Sequence, residues 1–172
     1  MRAGGGKQKG AAFERLVCEK LSLWVTDGKS DCAFWRSAMS GGRATVRHAK
    51  GKKTQSQSGD ISAVAPEGHA LVNYFSIECK FVKDLNLQAA LMKGKGPLVE
   101  YWKQVSRDAA KAGKRPLLIA KQNNCPVVVF MYYEEMWLGD RWRPQADLYA
   151  FSNDESVCMM LFEELLKLDP PQ

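Results

Sequence analysis

A chain of 172 residues with 45% apolar content can bury a core of its own, so no second domain is required. Five cysteines without a Cys-x-x-Cys spacing speak against a zinc or disulfide framework, and the absence of a leader or of a run of about 18 apolar residues speaks against export or membrane insertion, so the chain reads as intracellular. The formal charge of +6 is unevenly held: residues 1–58 carry twelve Lys/Arg against four Asp/Glu, net +8, whereas the remainder is net −2.

In chain order, a Gly/Lys-rich lead over residues 1–9 reads as mobile. Phe13, Leu16, Val17, Leu21 and Trp24 recur at three- and four-residue steps and predict an amphipathic helix over 10–25. Ser40-Gly41-Gly42-Arg43 is a turn signal, Ala44 to His48 can form a short strand, and 49–58 has almost nothing to bury and reads as an exposed basic loop. Two strands, 60–65 and 70–82, are expected as a wide hairpin around Pro66-Glu67-Gly68. In the second, Leu71, Phe75, Ile77, Cys79 and Phe81 share one face, and Val72, Tyr74, Ser76, Glu78 and Lys80 share the other. Pro97, behind the Lys93-Gly94-Lys95-Gly96 break, opens a helix over 98–112 that Gly113 stops. Residues 115–121 and 126–132 read as core strands, 147–151 as a short strand, and 153–168 as a C-terminal helix striped by Val157, Met160, Leu161, Leu165 and Leu168. Trp24, Trp35, Phe75 and Phe130 are assigned to the core. The whole reads as one α/β domain over 1–172.

The chemistry concentrates in Gly59-Asp60-Ile61-Ser62 and Glu78-Cys79-Lys80. On a strand, Glu78 and Lys80 project together while Cys79 turns inward, so two carboxylates and an ammonium can converge on one metal-sized spot. Phosphodiester hydrolysis needs that combination: hard oxygen ligands for a divalent ion, and a cation that orients water and meets developing negative charge. Asp60 and Glu78 are the candidate Mg²⁺ ligands, with Mn²⁺ as the alternative ion and the Cys79 carbonyl as a third ligand. A plain surface ion pair between Glu78 and Lys80 is the alternative reading of that tripeptide. Cys79 is a buried filler rather than a nucleophile, because nearby acids raise a thiol pKa.

Arg36, Arg43, Arg47, Lys50, Lys52 and Lys53, interleaved with Ser, Thr and Gln, form a candidate DNA-contacting surface, and Lys103 and Arg107 give the 98–112 helix a cationic side. Arg15 is a further candidate phosphate contact. Gly51-Lys52-Lys53-Thr54 fails as a phosphate-binding loop, since the second lysine breaks the motif and no glycine stands at the needed place upstream, so no nucleotide cofactor is expected. Two histidines, His48 and His69, are too few for a zinc or His-metal nuclease site.

Taken in order, Phe13-Glu14-Arg15, Ser58-Gly59-Asp60-Ile61, Ile77-Glu78-Cys79-Lys80 and Tyr101-Trp102-Lys103-Gln104 resemble the PD-(D/E)XK nuclease superfamily, closest to small phage and archaeal Holliday junction resolvase-like enzymes. The resemblance spans residues 10–130. It implies a restriction-endonuclease-like core with a central mixed sheet flanked by helices, a divalent-metal site and DNA hydrolysis. It makes Asp60, Glu78 and Lys80 the catalytic triplet, Glu14 a helix acid near the metal, and Gln104 a supporting polar group. The first acid here follows glycine rather than proline, and residues beyond 135 match no pattern in the resemblance. Branched DNA is the expected substrate and a homodimer the expected assembly, because two opposed cuts in a junction need two sites. A DNA-binding protein that keeps the fold without cleaving, and a nuclease for linear or duplex DNA, stay open as alternatives.

Overall fold

A computed structural model of the chain describes residues 5–37, 59–132, 146–148 and 157–171. The strand expected at 44–48 and the basic loop at 49–58 lie outside the described residues.

Helix α1 (Gly5–Val25) buries Phe13, Val17 and Leu21 along the predicted stripe, while Leu16 falls outside it and is exposed. The helix opens earlier than the apolar spacing indicates, so the mobile lead expected over 1–9 is helical from Gly5. Lys9 helps to hold this early turn: its ammonium lies 3.9 Å from the Phe81 ring centroid and donates to Asn123 Oδ1. Strand β1 (Phe34–Arg36) then pairs antiparallel with β2 (Ile61–Ala63), Phe34 opposite Ala63 and Arg36 opposite Ile61. Phe34 and Ile61 are buried against α1. Strand alternation turns Trp35 the other way, leaving it 63% exposed and correcting its assignment to the core. Trp24 is half-buried with its indole N–H on the Leu168 carbonyl, and Phe75 and Phe130 are buried as expected.

The expected hairpin does not form. After β2 a 3-10 turn (Pro66–Gly68) and a short helix α2 (His69–Tyr74) precede β3 (Phe75–Val82), so the first part of the segment read as extended is helical. Leu71 and Val72 are both buried, which adjacent positions on one helix face can be and alternating strand positions on a single-sided sheet cannot. Strand β3 pairs in parallel with β4 (Arg115–Gln122), and the crossover that parallel neighbours require is supplied by α3 (Leu87–Lys93) and α4 (Pro97–Lys111). Pro97 opens α4 as expected, and Gly113, at φ +66°, takes the left-handed position just beyond its end. Strand β5 (Val127–Tyr132) runs antiparallel to β4. Beyond it come β6 (Ala146–Leu148) and β7 (Val157–Leu161), giving a five-stranded mixed sheet in the order β3-β4-β5-β7-β6.

Strand β7 corrects the C-terminal helix expected over 153–168. Only α5 (Phe162–Leu165) is helical there among the described residues. Val157 to Leu161 is an unbroken apolar run with Val157 and Cys158 both buried, the pattern of a strand covered on its two faces. Those faces hold separate cores. Ile77, Cys79, Leu117, Ile119, Val129 and Met160 pack under α1, whereas Leu118, Ala120, Val128 and Phe130 pack under α4 with Leu98, Trp102 and Val105. The result is the expected α/β architecture, a central mixed sheet with helices on both faces.

Candidate active site

Strand β3 is one edge of the large sheet, and the approach of Gly59 to that edge positions the first acid. Gly59 forms a parallel bridge with Ile77 at φ +90°, and a Cβ on it would stand 2.8 Å from the Ile77 nitrogen. Glycine is therefore required on both conformational and steric grounds. Asp60 continues the edge pairing: its N–H donates to the Ile77 carbonyl at 2.7 Å, and its Oδ2 accepts the Cys79 N–H at 2.9 Å. The N–H of Ser37, just past β1, donates to the Asp60 carbonyl at 2.7 Å, so the residue is fixed from both sides. The carboxylate thus occupies a place on the β3 edge where a neighbouring strand would otherwise supply a carbonyl.

Asp60 is buried, and burial, then the Glu78 carboxylate, push its carboxyl up to about 7 against the pull of the Cys79 N–H. Glu14 on α1 adds to that push and Lys80 opposes it. Lys80 Nζ lies 2.7 Å from Glu78 Oε1 with both side chains mostly covered. Burial works to lower the ammonium, but Glu78 outweighs it, so Lys80 is held above the ordinary lysine value and is charged near neutrality. Cys79 points into the core, and burial followed by Asp60 raises its thiol well above the ordinary value. The fold therefore brings Glu78, Lys80 and Glu14 within electrostatic reach of Asp60.

The remaining sequence candidates divide. Glu14 Oε2 is engaged by Arg36 Nε at 2.5 Å, an ion pair that ties α1 to β1 and gives Arg36 a local partner that its sequence grouping with the DNA-contacting residues did not foresee. Arg15 is exposed on α1. Lys103 and Arg107 are exposed on α4, but the expected cationic side is interleaved with acids: Lys103 lies 3.5 Å from Glu100, and Asp108 lies 3.8 Å from Arg107 and 3.2 Å from Lys111. Gln104 is half-buried and joins no described hydrogen bond at the site. Arg43, Arg47, Lys50, Lys52 and Lys53 lie outside the described residues. The sequence gives Tyr101 no role, yet its ring centroid is 5.8 Å from Lys80 Nζ; its place three residues before Gln104, nearly one turn away on a helix facing β3, is the available signal.

Among the described residues, no three His, Cys, Asp or Glu side chains stand close enough together to hold a metal by themselves. The main chain can offer a further oxygen donor beside Asp60 and Glu78. The Cys79 carbonyl suits that role, because the N–H and C=O of one strand residue leave on the same edge and the Cys79 N–H is directed to Asp60. No helix among the described residues is long and apolar enough to cross a membrane.

A mixed α/β sheet of this kind, with helices on both faces, is the restriction-endonuclease-like fold of PD-(D/E)XK nucleases. The chain belongs to the family described as "Phage putative PDDEXK endonuclease", which it matches over residues 5–170. The match takes in β7 and α5, beyond the 10–130 span of the sequence resemblance. No curated protein and no solved structure matches the chain.

Proposed function

We propose that the chain is a Mg²⁺-dependent DNA endonuclease, with Mn²⁺ as the alternative ion, and that its preferred substrate is branched DNA. The observation that carries the reading is the Asp60 carboxylate, buried at the β3 edge with its charge opposed by burial and by Glu78. A divalent ion would relieve both costs, and the donor set fits one. Asp60 Oδ2 is used by the Cys79 N–H and Glu78 Oε1 by Lys80, which leaves Oδ1, Oε2 and the Cys79 carbonyl as hard oxygen donors. When bound, Mg²⁺ supplies neutralisation of phosphate charge and acidification of a water.

Lys80, kept charged by Glu78, orients the attacking water and stabilises negative charge on the phosphate rather than serving as the resting base. Glu14 is the helix acid near the metal, its charge felt by Asp60 while Arg36 pairs with it, and Gln104 is the supporting polar group on α4. The preference for branched DNA rests on the motif order shared with resolvase-like enzymes, and the homodimer on the need for two opposed cuts. The test is cleavage of a four-way junction beside matched duplex in Mg²⁺, with the native chain and Glu78→Ala. Junction-selective cutting by the native chain that Glu78→Ala loses supports the whole reading. Equal cutting of both substrates removes the junction preference, cutting that survives Glu78→Ala removes the site assignment, and metal-independent binding without nicking leaves a DNA-binding protein. Light scattering that shows only monomer with and without DNA removes the dimer.

A further inference from the structure

We infer that Tyr101 is a substrate-contacting residue, its ring flanking Lys80 and its hydroxyl donating to a phosphate oxygen of the strand that Lys80 serves. The inference deepens the proposed nuclease function and rests on it. Helix α4 turns Leu98, Val99, Trp102, Val105 and Ala109 into the core beneath it, and Tyr101 and Gln104 stand on the shoulder of that stripe, both half-buried. The Tyr101 ring centroid lies 5.8 Å from Lys80 Nζ, within cation–π range, so the ammonium has an aromatic ring beside it in addition to Glu78 Oε1 at 2.7 Å and the nearby charge of Asp60.

The contrast with the other tyrosine of this core is informative. Tyr132 packs edge-on against Trp102 at 5.3 Å and lies beneath the Arg115 guanidinium at 4.6 Å, a set of contacts within the fold. Tyr101 instead packs on the cation of the proposed site, and its hydroxyl joins no described hydrogen bond. Its hydroxyl is not among the buried polar atoms left without a partner, so it reaches the surface and is open to a ligand. Beside an ammonium placed to meet a phosphodiester, the partner whose chemistry fits is an anionic phosphate oxygen. A neutral donor of this kind adds affinity without releasing a counterion, which separates it from the lysine next to it.

Tyr101→Phe keeps the ring and removes only the hydroxyl. DNA affinity is measured across a KCl series with Ca²⁺ in place of Mg²⁺, and single-turnover cleavage is measured in Mg²⁺, for the native chain, Tyr101→Phe and Lys80→Met. Tyr101→Phe is expected to weaken binding about fivefold with the salt slope unchanged, and to slow cleavage at saturating DNA about tenfold. Lys80→Met is expected to lower the slope by roughly 0.9 for the charge removed. Tyr101→Phe with native affinity and rate overturns the inference, as does a slope that falls with Tyr101→Phe, since the loss would then run through the charge on Lys80. If the native chain cuts no DNA in Mg²⁺, the nuclease reading fails, and the binding series alone still decides whether Tyr101 touches phosphate.

Discussion

Gly59 and Asp60 form one device, because the acid reaches the β3 edge only if the residue before it takes φ +90° against the Ile77 backbone. Gly59→Ala should cost about 1–3 kcal/mol in a denaturant melt, from the strained φ and the contact with Ile77. It should also cut cleavage roughly a hundredfold, since a shift of the acid by an ångström spoils the reacting geometry. Asp60 carries a pH signature. Its carboxyl is raised from 3.8 to about 7, so the unfolded chain releases this proton at lower pH than the fold does. Without metal, folding bears no penalty from this group below about pH 4, a growing one as pH rises toward 7, and a constant one above. Asp60→Asn keeps an acceptor for the Cys79 N–H and lacks the charge, so in EDTA it should be more stable than the native chain, by on the order of 2–4 kcal/mol at pH 8 and by almost nothing near pH 4. Equal melting midpoints at pH 8 would show that the carboxylate is not held against its charge. Glu78 and Lys80 could be grouped from strand alternation because they are neighbours on one face of β3, whereas Asp60 reaches them through a parallel approach to the β3 edge and not through the expected hairpin. The Arg36–Glu14 pair and the Tyr101–Lys80 contact could not, since each joins elements that only the tertiary fold brings together.

At the scale of elements, the legible parts are those whose apolar period has a single interpretation. Helix α4 buries residues at three- and four-residue steps between Pro97 and Gly113, and β4 and β5 are Leu-, Ile- and Val-rich runs flanked by turn residues, so composition, period and end signals agree. Residues 70–74 and 157–161 depart from the expected strand and helix because short apolar runs satisfy either period, and what decides is the surface they meet. Cys158 separates the two readings of the second segment. The helical stripe leaves it outside, whereas as part of β7 it is wholly buried, with its thiol 3.4 Å from the Met131 carbonyl across the sheet. Cys158→Asp should therefore cost more than about 3 kcal/mol, because it buries an unpaired charge, while Glu163→Ala on the exposed face of α5 should stay within about 0.5 kcal/mol. Guanidinium melts of the two variants compare them directly, and near-native stability in Cys158→Asp would argue against β7.

Across the whole molecule, the sheet carries its two cores on opposite faces and exposes its chemistry at one edge, where Asp60 arrives from the α1 side and Lys80 meets α4. A metal held there would tie the segment leading into β2 to strand β3, so its binding should be read out as global stability and not only as cleavage. An ion that binds only the folded chain raises stability by about 2.7 kcal/mol at a hundred times its dissociation constant. Ca²⁺ at such a concentration should raise the native melting temperature, and EDTA should reverse the rise. The size of the shift should itself depend on pH, with a definite sign. The cation must displace the proton that Asp60 keeps up to about pH 7, so metal affinity should climb from pH 5.5 to 7.5 and level off above, because the carboxylate is already ionised there. Asp60→Asn has no proton to displace and one fewer charged ligand, and its Ca²⁺ shift should be small and flat with pH. A thermal-shift series over that pH range, run on both chains, decides the matter: parallel, pH-independent shifts would place the bound cation somewhere other than the edge that Asp60 and Glu78 share.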